Sequence, residues 1–116
     1  MCSSDLGNQI RDFLHVQDVA DAFVAILDSQ VSGAVNIASG KPIQLKEIIG
    51  GIAKSLGKAD LIELGVIPVS DNEPKLLVAA VSRLTQEIGW FPKYDLETGL
   101  AETIDWWHNQ RVREAI

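Results

Sequence analysis

Few residues in this chain have the type and setting to do chemistry. Arg11, in "QIRDFLHVQ", follows a turn and enters an apolar stretch. Its planar fork of N–H donors suits a phosphate or a carboxylate; an exposed guanidinium, or one paired with Asp12, is the plainer reading. His15 could serve as a general base, or simply pack or hydrogen-bond beside a strand. Asn36, inside the apolar "GAVNIAS", needs partners for its amide, either neighbouring backbone or a ligand. Asp18 and Asp95 stand where carboxylates cap helices rather than where they move protons. Cys2 is the only cysteine, which excludes a disulfide framework and a thiolate metal site. His15 and His108 lie too far apart for metal-ligand spacing.

No complete catalytic set appears. There is no G-x-G-x-x-G, no G-x-S-x-G, and "GKP" at Gly40 lacks the rest of a phosphate loop. The only tyrosine, Tyr94, has Thr98 four residues on, so there is no Tyr-x-x-x-Lys pair. The remaining carboxylates fall on faces expected to be solvated.

These residues must be held by elements that the pattern predicts as α/β. "QIRDFLHVQ" reads as a short strand rich in β-formers. Asp18 then caps a helix whose stripe is Val19, Ala22, Phe23, Ile26 and Leu27, ending near Ser29. "GAVNIAS" reads as a strand buried on both faces. Leu45, Ile48, Ile49, Ile52, Ala53 and Leu56 make a second amphipathic helix stopped by Gly57, with Gly50 and Gly51 explained by close packing. "ADLIELGVIPV" is extended, "SDNEP" a polar turn and "KLLVAAV" extended. "SRLTQEIGW" is a short helix begun by Ser82. Asp95 caps a last helix carrying Leu96, Leu100, Ile104 and Trp107, and the polar end of the chain frays. Trp90, Trp106 and Trp107 read as core anchors.

Composition narrows the partners. The 116 residues allow one small domain, with 47% hydrophobic and 22% charged residues. Sixteen acidic against ten basic residues give a net charge of -6, which argues against non-specific nucleic-acid binding. No apolar run approaches the roughly 20 residues of a membrane span, and the start lacks a signal-peptide pattern. A cytoplasmic setting, with neither nucleic acid nor membrane as partner, is the expectation.

The order of segments carries more than any one residue. "RDFLHVQDVADAFVAIL", "GAVNIASG", "EPKLLVAAVSRLTQEIGWFP" and "LETGLAETIDWW", with the gaps between them, closely resemble the C-terminal part of the NAD-dependent epimerase/dehydratase family. These are extended short-chain dehydrogenases/reductases acting on nucleotide sugars. The resemblance runs from about Gly7 to Trp107 and is specific to the superfamily, not to one substrate. It implies a C-terminal fragment of a Rossmann-type fold: the last helix and last strand of the parallel sheet, plus the small substrate-binding lobe, over residues 7–110, with 111–116 a frayed tail.

By that resemblance the intact family uses NAD or NADP, acts on a nucleotide-diphosphate sugar, and is often homodimeric. Its glycine-rich cofactor turn and Tyr-x-x-x-Lys are missing here, so no catalytic, cofactor or metal residue is assigned, and the chain alone is expected to bind no cofactor and to be inactive. Arg11 matches the family arginine that contacts the substrate diphosphate, and Asn36 matches a position near the substrate in some members. His15 is not promoted. Two departures stand out: no second diphosphate-contacting arginine precedes "EPK", near Ser70, and Ala80 replaces a common Asp. A reductase or dehydratase branch therefore stays open beside an epimerase. The alternative class is a free-standing, non-catalytic binding module.

"MCSSDL", in front of Gly7, has no counterpart in the resemblance. Cys-Ser-Ser-Asp-Leu is also what TGC TCT TCC GAT CT encodes, the end of a common sequencing adapter. Residues 1–6 are accordingly expected to be an artefactual leader, with Cys2 outside any site.

Overall fold

The computed structural model describes residues 7–63 and 72–115. Its sheet is small, because each strand is only two residues long. β1 (Ile10–Arg11) lies between β2 (Ile43–Gln44), antiparallel to it, and β3 (Leu76–Leu77), parallel to it. Backbone bonds extend the pairing past the strand ends, from Leu45 N to Gln9 O (2.8 Å), Lys46 N to Gly7 O (2.9 Å) and Ile10 N to Lys75 O (2.8 Å). Gly7 is needed there. Its φ is +75°, and an added Cβ would meet the Lys46 Cβ at 3.0 Å.

The predicted first strand is thus real but shorter than "QIRDFLHVQ". Helix α1 (Val16–Leu27) starts three residues earlier than expected. Its cap is His15, whose Nδ1 accepts the Gln17 N–H at 3.0 Å, and not Asp18. Asp18 lies inside the first turn, fully buried, and is used elsewhere. Helix α2 (Leu45–Leu56) ends as predicted at Gly57, in the left-handed conformation. Helix α3 (Leu96–Ala115) begins at Asp95, whose Oδ1 accepts the Thr98 N–H at 2.8 Å. The polar end expected to fray, residues 111–116, is helical through Ala115.

Three further expectations change. "GAVNIAS" forms no strand: no ladder runs along it among the described residues, and Asn36 is exposed. An apolar run suits a buried sheet, but a strand exists only by pairing, and the described residues set no partner strand beside it. Ala59–Leu61, the start of the predicted extended segment, is a 3-10 turn, and residues 64–71 lie outside the described residues. Arg83–Glu87 is a π-helical turn rather than an ordinary short helix.

Few side chains are enclosed. Ala22, Ala53 and Leu84 are the buried apolar residues among those described. Gly51 on α2 approaches α3 so closely that a Cβ would stand 3.0 Å from Leu100 Cδ1, whereas Gly50 faces open space. Close packing therefore accounts for one glycine of the pair. Among the described residues twelve large apolar side chains are exposed, including Val16, Phe23, Val24 and Leu27 on α1. Trp106 and Trp107 are more than half exposed, packed edge-on to each other at 4.8 Å, and are not core anchors. The accessible surface is 8471 Å², against about 6,200 Å² for a single folded domain of this mass. The radius of gyration is 17.0 Å, against about 13 Å for a compact chain of this length.

Candidate functional site

Arg11 sits on the central strand and is largely covered, its side chain 20% exposed. Its Nη1 donates to the Ile10 carbonyl at 2.9 Å and its Nη2 to Glu73 Oε1 at 3.0 Å. The Asp12 pairing considered from sequence is not made. Asp12 turns the other way and ties the strand to residues 39–40. Its Oδ1 accepts both the Ser39 N–H (2.8 Å) and the Ser39 hydroxyl (2.7 Å), and its Oδ2 accepts the Gly40 N–H (2.8 Å). Gly40, at φ +73°, has Val81 so near that a Cβ would lie 2.6 Å from its Cγ2.

Asn36 is exposed and donates through Nδ2 to the Ala80 carbonyl at 3.1 Å. Backbone, the plainer of its two expected partners, is what it holds. Arg83 grips the same stretch further back: Nη1 donates to Ala34 O and Nη2 to Ser32 O, each at 2.9 Å. Glu87 steadies that guanidinium at 2.6 Å. Their hydrogen bond raises the Arg83 pKa and lowers that of Glu87. Side chains from residues 36 and 83 thus hold "GAVNIAS" beside residues 80–83, where a backbone ladder was expected. Arg11 and Asn36 share no hydrogen bond. They are linked indirectly, through the Asp12 anchor on Ser39 and Gly40.

A cavity of about 390 Å³ lies between the end of β1, α2 and the start of α3. Phe13, Ile43, Ile48 and Leu100 are among its walls, and neither Arg11 nor Asn36 reaches it. Several of its polar groups already have partners. His15 caps α1 and stacks on Tyr94 at 4.1 Å. Asp95 is bound to Thr98, and Ser39 to Asp12. A hydrogen bond to Glu102, then burial, raises the Tyr94 hydroxyl above its ordinary range. No nucleophile–base pair converges on this space, and it reads as a loosely filled interior. Among the described residues no cluster of His, Cys, Asp and Glu could hold a metal ion, and no helix is long and apolar enough to cross a membrane.

Sequence reasoning missed Glu73, Asp12 and Arg83 as the residues that fix the candidate site. Glu73 and Arg11 are 62 positions apart, so no local pattern joins them. For Asp12 a signal existed: an acid directly after the arginine, with Ser39 and Gly40 offering adjacent N–H donors.

The described residues form a small α/β scaffold with Arg11 largely covered on its central strand. The chain belongs to the GDP-mannose 4,6 dehydratase family, whose model matches residues 3–103. That match begins ahead of Gly7, where the sequence resemblance was placed. Among its relatives is GDP-L-fucose synthase 1 of Arabidopsis thaliana, 36% identical over 103 residues, covering 87% of this chain and 31% of the relative. Among solved structures, the UDP-N-acetylglucosamine 4-epimerase of Methanobrevibacter ruminantium, in complex with UDP-N-acetylmuramic acid, superposes with a TM-score of 0.77 at 28% identity, over 90% of this chain and 33% of its own. The dTDP-glucose 4,6-dehydratase of Bacillus anthracis, in complex with NAD, superposes with a TM-score of 0.74 at 29% identity, over 89% and 32%. The chain therefore spans about a third of these proteins, as expected of a C-terminal portion of the Rossmann-type extended short-chain dehydrogenase fold.

Residues present here do not fit the cofactor that the dehydratase structure holds. A dinucleotide pyrophosphate is seated where a glycine-rich turn opens a helix. In this chain α1 opens at His15 and α2 at Gln44, with no such turn before either.

Proposed function

We propose that this chain is the substrate-binding C-terminal portion of an NAD(P)-dependent nucleotide-sugar epimerase, dehydratase or reductase. Arg11 would grip the diphosphate of the substrate, and Asn36 would meet the sugar or ribose through the amide oxygen that its bond to Ala80 leaves over. The observation carrying this reading is Arg11 itself. Its guanidinium lies largely covered on the central strand, oriented by the Ile10 carbonyl and already paired with an anion, the Glu73 carboxylate. A phosphate offers the same acceptor geometry with more charge. Family membership supplies the ligand class. The Tyr-x-x-x-Lys pair that would move the proton is not among these 116 residues.

The exposed apolar face of α1 favours this reading over a free-standing module, since a self-sufficient domain rarely leaves such a stripe in water. The test is calorimetric titration of the 116-residue chain with GDP. Arg11→Gln should weaken binding about tenfold or more, the equivalent of one charge-assisted contact. Equal affinity in the variant and the parent would remove Arg11 from the site.

A further inference from the structure

We infer that Glu73 is an internal stand-in for the ligand's phosphate, and that it weakens the hold of Arg11 on any incoming anion. This rests on the reading of Arg11 as the diphosphate contact. Glu73 Oε1 accepts from Arg11 Nη2 at 3.0 Å, so an incoming anion and Glu73 compete for one guanidinium edge. The two partners are unequally covered: Arg11 is 20% exposed and Glu73 38%. Glu73 can therefore turn out and hydrate at small cost while Arg11 stays in place, held by its second bond to the Ile10 carbonyl.

Backbone geometry keeps the competitor close. The Ile10 N–H donates to the Lys75 carbonyl at 2.8 Å, and β3 pairs in parallel with β1, setting Arg11 against Leu77. The turn bearing Glu73 is thus anchored to Arg11's own strand. Pro74 directly after Glu73 confines that residue to extended backbone, which limits how far the carboxylate can drift.

The chemical consequence is competition. Any incoming anion must replace Glu73 at the Nη2 edge and overcome the repulsion of the displaced carboxylate nearby, which grows with the anion's own charge. A diphosphate carries more charge and can span both the Nη2 edge and the remaining donors. Glu73 thereby lowers the affinity of Arg11 for every incoming anion, nucleoside diphosphates included. It also makes the exchange sensitive to ionic strength, because a screened pair is easier to open.

The experiment titrates GDP and, separately, inorganic phosphate into the full chain, its Glu73→Gln variant and its Arg11→Gln variant. Far-UV circular dichroism confirms that each variant keeps its helices. Glu73→Gln should bind both GDP and phosphate three- to tenfold more tightly. If Arg11→Gln weakens GDP while Glu73→Gln leaves it unchanged or weaker, Glu73 is no competitor and the proposal falls, with the Arg11 reading intact. If Arg11→Gln has no effect, the Arg11 reading falls and this one with it. GDP binding by neither the parent nor Glu73→Gln overturns both. Glu73→Ala repeats the comparison without the amide, so that a new hydrogen bond from Gln cannot mimic the result.

Discussion

Asp18 and Tyr94 are joined across 76 positions of sequence. Asp18 Oδ2 accepts the Tyr94 backbone N–H at 3.1 Å, while Oδ1 accepts that of Lys93 at 3.0 Å. A fully buried carboxylate in the first turn of α1 therefore fastens the loop that leads into α3. It also brings Tyr94 onto His15, so the cap of α1 and the approach to α3 are built from the same four residues.

Removing that carboxylate strands two backbone donors. Asp18→Ala should lower unfolding free energy by about 3 kcal/mol, and Asp18→Asn by less, since its amide keeps one acceptor oxygen. Urea unfolding followed by circular dichroism measures both. A loss of only a few tenths in Asp18→Ala would mean the loop is not held by this residue.

Neighbouring glycines on α2 should answer differently to the same change. Gly50 faces open space, so Gly50→Ala should gain about 0.5–1 kcal/mol from helix propensity alone. At Gly51 the new methyl would press on Leu100, and that gain should be largely cancelled. Thermal midpoints measured side by side test this. Equal stabilisation by both would contradict the close approach of α2 and α3.

Acid should open α3 from its first turn. The Thr98 N–H, then its hydroxyl, hold the Asp95 carboxyl below the ordinary carboxylate range. A folded-state pKa lower than the unfolded one contributes stability that is present above the unfolded value and lost as pH falls through the folded one. The cap should thus persist at mild acidity and fail only below the usual Asp range. Following the Thr98 amide resonance against pH would show this, and Asp95→Asn should abolish that acid-linked change. A Thr98 resonance that ignores pH would count against the cap.

Arg83 should protect a stretch that no ladder protects. Arg83→Lys keeps the charge but loses the planar fork that reaches Ser32 and Ala34 together. Amide exchange across residues 31–37 should speed up in the variant, while α2, remote from the fork, stays unchanged. Uniform acceleration along the whole chain would point to global unfolding instead.

The sequence by itself determined what is local or what depends on ordered patterning. Helical stripes marked α1 and α2, Gly57 marked the end of α2, and Asp95 marked the start of α3, because caps and amphipathic faces act within a few residues. The succession of segments, none strong alone, also named the family. Tertiary structure decided everything that needed a distant partner. Apolar composition could not make "GAVNIAS" a strand, because a strand requires a neighbouring backbone, and side chains from Asn36 and Arg83 took over the holding. Asp18 looked like a cap and became a clamp, because its targets, residues 93 and 94, come near only in the fold. The family resemblance, rather than the residue alone, singled out Arg11 as a candidate diphosphate contact. That its resident anion is Glu73, 62 residues away, follows only from the parallel pairing of β1 with β3.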